Sequence, residues 1–103
     1  MNAVCLQVFV SESSRHQGRL THEWLLDAAQ ALGIAGGSAF RAIAGFGRHG
    51  KLHEETFFEL AGELAVKVEF VVDEELAEKL LDSLHAEDLK ILYIRQQIEV
   101  AQI

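Results

Sequence analysis

From Ala3 to Val10 the hydrophobic positions alternate. Val4, Leu6, Val8 and Val10 fall on one side, and Cys5, Gln7 and Phe9 on the other. A period of two is that of a β-strand. Ser11 to Arg19 is polar and holds Gly18, which predicts a loop. The period then lengthens. Leu25, Ala28, Ala29 and Leu32 stand at i, i+3, i+4 and i+7, the apolar stripe of a helix that begins near Leu20. Thr21 is placed to cap the first turn, Leu20 and Leu25 to staple it, and Gly33 to close the end in the left-handed conformation.

Gly36-Gly37 marks a turn, and Ser38 to Ala44 reads as a short second strand built from small residues. Residues 45–63 then form a long connection. Connections in compact domains are usually about 4–6 residues, and longer ones are commonly functional. Leu64 to Val72 has the clearest alternation in the chain: Leu64, Val66, Val68, Phe70 and Val72 against Ala65, Lys67, Glu69 and Val71. Asp73-Glu74-Glu75 supplies a cap and two acids at the positive end of a second helix, whose stripe is Leu76, Ala77, Leu80, Leu81 and Leu84. Ala86 to Asp88 turns the chain, and Lys90 to Val100 reads as the last strand.

Strand, helix, strand, strand, helix, strand is the order of an α+β, ferredoxin-like βαββαβ domain. It is a four-stranded antiparallel sheet with two helices on one face. The halves pair most easily with the first and third strands in the centre. Lys67 and Glu69 then lie on the face away from the helices, which predicts a partly wet second face covered by another copy. Residues 1–103 are expected to form this single domain.

Composition narrows the function classes. Half of the 103 residues are hydrophobic and 24% are charged, so the chain can bury a core and is no disordered tail. No apolar run reaches the ~18–20 residues that cross a bilayer, so no membrane insertion is expected. Met1 to Cys5 has no basic stretch before its apolar run, and no signal peptide is expected. The lone Cys5 cannot form an internal disulfide and suits a reducing cytoplasm. A formal net charge of −7, with nine scattered basic residues, argues against nucleic acid as a partner. A small anion such as a nucleotide remains open, because Arg48 to Lys51 is a local basic concentration.

The residues bear on three kinds of chemistry. His49 and His53 are four apart with Glu54 and Glu55 behind them, but Gly47 and Gly50 argue against the helix that would aim both at one metal. No metal ligands are assigned. Cys5 lies mid-strand without a neighbouring base, and Ser11, Ser13 and Ser14 match no nucleophile elbow, so no catalytic residue is assigned and no enzyme is expected. Gly45-Phe46-Gly47 carries more. Glycines let backbone amides approach an anion, and Arg48, His49 and Lys51 follow. The alternative reading of the same residues is a hairpin turn anchored by Phe46.

At this loop the chain resembles a known family. Phe40-Arg41-Ala42-Ile43-Ala44-Gly45-Phe46-Gly47, then His53 and Phe57-Phe58, is similar to the signature of a small bacterial and archaeal family of unknown function, related in fold to the PII (GlnB-like) nitrogen-regulatory proteins. Arg15-His16-Gln17-Gly18-Arg19-Leu20 upstream and Val71-Val72-Asp73 downstream extend the resemblance over nearly the whole chain. The resemblance implies a homotrimer with the loop after the second strand standing where PII proteins carry their partner-binding loop. It also implies an adenine-nucleotide effector in the cleft between subunits. The binding residues it implies are Arg41, Gly45, Phe46, Gly47 and Arg48 at the loop base, and Lys90 as a phosphate contact at the end of a second loop. The expected function is that of a cytoplasmic PII-like regulator that binds a small anionic effector and a protein partner such as a membrane transporter. The alternatives are a trimeric metal-binding protein like the copper-tolerance relatives of this fold, using His49 and His53, and a ligand-free protein adaptor.

Overall fold

The computed structural model describes residues 2–46 and 64–103. Its longest strands are the ones with the strictest alternation. Strand β1, Asn2–Ser11, runs antiparallel to β5, Ala65–Val72, with Leu6 opposite Phe70 and Val8 opposite Val68. On β1's other side lies β6, Leu92–Glu99, and on the far side of β5 lies β4, Gly37–Arg41. The sheet order is β4-β5-β1-β6, all antiparallel, so the two strands expected in the centre are the central pair.

One face of the sheet carries Val4, Leu6, Val8, Val10, Val66, Val68, Phe70 and Val72, all buried. The helices α1, Thr21–Ala31, and α2, Glu74–Ala86, close over that face with Leu25 and Ala29 from the first and Ala77, Leu80, Leu81 and Leu84 from the second. Burying a side chain of this size contributes roughly 1.5–3 kcal/mol, and the contiguous cluster is what fixes the register.

The helix ends follow some of the local signals and depart from others. Asp73 caps α2 by accepting from the Leu76 amide at 2.8 Å. Gly33, at φ +95°, ends α1 in a Schellman arrangement: its N–H reaches the Gln30 carbonyl at 3.0 Å and the Ile34 N–H reaches Ala29 at 3.1 Å. Thr21 does not cap α1. The cap is Leu20, with no side-chain bond, and this puts Arg19 in the preceding position where a staple needs an apolar residue. Thr21 is buried instead, with its hydroxyl 2.7 Å from that of Ser14 and its N–H on the Ser14 carbonyl at 2.8 Å.

The polar segment expected to be plain loop holds a small hairpin, β2 Arg15–His16 with β3 Arg19–Leu20. Its two turn residues, Gln17 at φ +54° and Gly18 at φ +80°, both take positive φ, as a type I′ turn requires. Glutamine is an unusual residue there, which is why the sequence pattern does not announce the turn. Strand ends also shift. The second strand stops at Arg41 rather than Ala44, and the last begins at Leu92 rather than Lys90.

The face away from the helices is mixed. Cys5 is buried there, Gln7, Phe9, Lys67 and Glu69 are half-buried, and Phe40, Val71 and Ile94 are exposed. Register places Leu92, Ile94 and Ile98 on this open face, opposite Phe9, Gln7 and Ala3. The inward positions of β6 are Tyr93, Arg95 and Gln97, so its apolar stripe points away from the helices.

Candidate functional site

The chain leaves β4 at Ala42 and returns at Leu64, and three strands meet at this point. The Ala42 N–H donates to the Ala65 carbonyl at 2.9 Å, and the Glu12 N–H, just past β1, donates to the Leu64 carbonyl at 3.0 Å. Glu12 also reaches sideways. Its Oε1 accepts from Arg41 Nε at 2.6 Å, and its Oε2 lies 3.5 Å from the Leu64 amide. Arg41, expected to meet a ligand, is therefore engaged by a carboxylate that the sequence pattern did not single out.

Beyond Arg41 the base opens into solvent. Ile43 is 96% and Phe46 100% exposed, and a Cβ built on Gly45 would meet nothing within 4 Å. Phe46 is not anchored against the described residues. Gly47, Arg48, His49, His53, Phe57 and Phe58 lie outside the described residues.

Lys90 stands in the turn between α2 and β6. All three amides ahead of it are committed to closing the helix. The Glu87 N–H goes to Ser83 at 3.1 Å, the Asp88 N–H to His85 at 3.0 Å and the Leu89 N–H to Leu84 at 3.2 Å. Asp88, at φ +57°, takes the left-handed position that glycine filled in α1. The turn therefore offers Lys90 as an exposed charge but no free backbone cradle, and Glu87 and Asp88 precede it in the chain. Glu87 is held from the other side. Its Oε1 accepts from Gln17 Nε2 at 2.8 Å and pairs with His16 Nε2 at 2.9 Å, while the His16 ring meets Trp24 edge-on at 4.7 Å.

Topology relates the two halves. Arg41 is opposite Val66, Ser11 opposite Ala65, and Phe9 opposite Leu92, so the loop base and the Lys90 turn lie at one end of the sheet. They lie at opposite edges of it. Three strand spacings separate β4 from β6, about 14 Å. Within one copy they flank the sheet rather than converge.

The open face carries a separate polar group. The Cys5 thiol donates to Glu69 Oε2 at 3.3 Å, and Lys67 lies 3.5 Å from Glu69 Oε1 and over the Phe40 ring at 5.2 Å. Burial, with the Glu69 bond adding to it, pushes the thiol's pKa up, while the thiol bond and the Lys67 ammonium hold the Glu69 carboxyl below its usual range. A thiol held protonated is a poor nucleophile. Among the described residues no three potential metal ligands cluster, and no helix is long and apolar enough to cross a membrane.

Comparisons with known proteins agree with this architecture. The model of the family DUF190, described as Uncharacterized ACR, matches residues 3–100. A UPF0166 protein of Aquifex aeolicus (strain VF5) is 30% identical over 97 residues, covering 86% of this chain and 92% of that protein. Among solved structures, CPII from Thiomonas intermedia K12, a nitrogen regulatory PII-like protein bound to ADP, AMP and bicarbonate, superposes with a TM-score of 0.67 at 18% identity. That match covers 100% of this chain and 97% of the other. The apo form of CPII gives 0.68 at 19% identity, over 100% of this chain and 96% of that one. At these identities the likeness concerns the fold.

Proposed function

The chain belongs to the DUF190 family and has the PII-like fold, and from that premise we propose that it is a cytoplasmic regulatory protein rather than an enzyme. It acts as a homotrimer, binds a small anionic effector in the cleft between copies, and passes the bound state to a protein partner, such as a membrane transporter, through the 45–63 connection. An adenine nucleotide is the leading candidate for the effector.

The observation that carries this reading is the placement of the loop base and Lys90 at one end but opposite edges of the sheet. That placement supports a ligand lying where the β4 edge of one copy meets the β6 edge of the next. The apolar residues on the open face, Phe40, Val71 and Ile94, support association of copies through that face. The solved relative with ADP and AMP bound supports the choice of nucleotide to try first. The committed amides at 87–89 make a phosphate contact by Lys90 a side-chain contact only, so weaker nucleotide binding is expected than a glycine-rich loop would give.

Light scattering with calorimetry tests the proposal. The expected result is a three-copy mass and saturable binding of at least one of ATP, ADP, AMP or cyclic AMP. A monomer would sink the cleft, and a trimer indifferent to all four would sink the nucleotide.

A further inference from the structure

We propose that Glu12 is a built-in occupant of Arg41, a carboxylate of the protein's own that ties the two ends of the 42–64 connection together and that competes with an anionic effector for the Arg41 Nε hydrogen. The inference rests on the effector reading above and adds its regulation.

Four observations carry it. Glu12 Oε1 takes the Arg41 Nε hydrogen at 2.6 Å, the guanidinium-to-carboxylate contact that a phosphate or carboxylate ligand would make. The same carboxylate turns its second oxygen toward the Leu64 amide, 3.5 Å away, so one side chain spans the outgoing and the returning chain. Its backbone is fixed to the returning chain by the 3.0 Å bond from its own N–H to Leu64 O. The Arg41 side chain is 67% exposed against 29% for Glu12, so a ligand can approach the guanidinium without unfolding anything. An ion pair this exposed contributes little to stability, which suits a contact that must be released. The consequence is a trade. When an external anion takes the Arg41 Nε hydrogen, Glu12 is freed, and its hold on Leu64 loosens at the same moment.

Nuclear magnetic resonance on the full chain decides this, with Glu12→Gln as a neutral replacement of the same shape. The Arg41 Nε–H signal, assigned by its loss in Arg41→Lys, is titrated with pyrophosphate in the wild type and the variant. Half-saturation is expected at about threefold lower pyrophosphate in Glu12→Gln, the scale set by an exposed ion pair. Leu64 amide exchange without ligand should be several-fold faster in the variant, with the Val68 amide unchanged. Equal or higher pyrophosphate demand in Glu12→Gln, or unaltered Leu64 exchange, would overturn the proposal. ADP is titrated in parallel. If pyrophosphate behaves as expected and ADP binds neither protein, the nucleotide reading fails and the role of Glu12 stands.

Discussion

Gly37 lies against the ring of Phe70: a Cβ built on Gly37 would sit 2.5 Å from both Cδ1 and Cε1. The ring cannot retreat, because Phe70 is 1% exposed and pairs across the sheet with Leu6 in the middle of the core. Leu26 Cδ2 closes the other side at 3.3 Å. The start of β4 is thus placed by the absence of a side chain, and Gly37→Ala should destabilise the fold by about 1–3 kcal/mol through overpacking. Chemical denaturation checks this. A loss below about 0.5 kcal/mol would mean that β4 can shift away from Phe70.

The turn after α2 invites the opposite change. Asp88 holds φ +57° at the negative end of a helix, next to Glu87. A non-glycine residue is strained there, and a second negative charge is unfavourable. Asp88→Gly should raise stability by about 1 kcal/mol, a melting shift of several degrees for a chain of this length.

Cys5 gives the molecule an alkaline dependence. Its pKa is raised in the fold, chiefly by burial and then by the Glu69 contact. The folded form holds the proton more tightly than the unfolded form. The resulting stabilisation is therefore complete below the unfolded thiol's pKa, near 8.5, and is lost as pH rises through the folded value. Cys5→Ser keeps a hydroxyl donor toward Glu69 but does not titrate in this range. Melting curves from pH 7 upward should fall for the wild type above about pH 8.5 and stay flatter for Cys5→Ser.

Phe46 separates stability from function. A fully exposed side chain should be replaceable by alanine within about 0.5 kcal/mol. Phe46→Ala should nevertheless impair effector or partner binding. A variant that melts early would show that Phe46 packs against something in the assembly.

Lys90→Ala tests the other half of the cleft. Lys90 is exposed and beyond the helix cap, so thermal stability should hold while ADP affinity falls by several-fold. Unchanged affinity with intact binding would move the phosphate contact elsewhere.

Much of the fold was legible in the sequence because one face of each central strand is buried. That burial forces the alternation seen in Val4 to Val10 and Val66 to Val72. Caps that use the expected chemistry, Asp73 and Gly33, were legible for the same reason: a local signal with a local partner. The last strand shows the limit. Lys90 to Val100 reads as a strand, but its apolar residues line the open face and Arg95 takes the helix side, bonded to Glu78 at 2.6 Å and to Glu74. Only the register with β1 decides between the two faces. The loop base was legible as the exit of the second strand and not as a set of contacts. Nothing near Glu12 points to Arg41, 29 residues away. Nothing in Glu87-Asp88-Leu89 announces that its amides are spent on a helix end, because Asp88 takes the position usually given to glycine.

The separation of Arg41 and Lys90 onto opposite edges of the sheet has an arithmetic consequence for the proposed trimer. Each cleft would draw one half from one copy and one half from its neighbour, so every copy serves two clefts. A subunit stripped of both residues and mixed into wild-type assemblies would silence two effector sites of three. Inhibition would then outrun the fraction of defective chains, a dominant behaviour that follows from strand order.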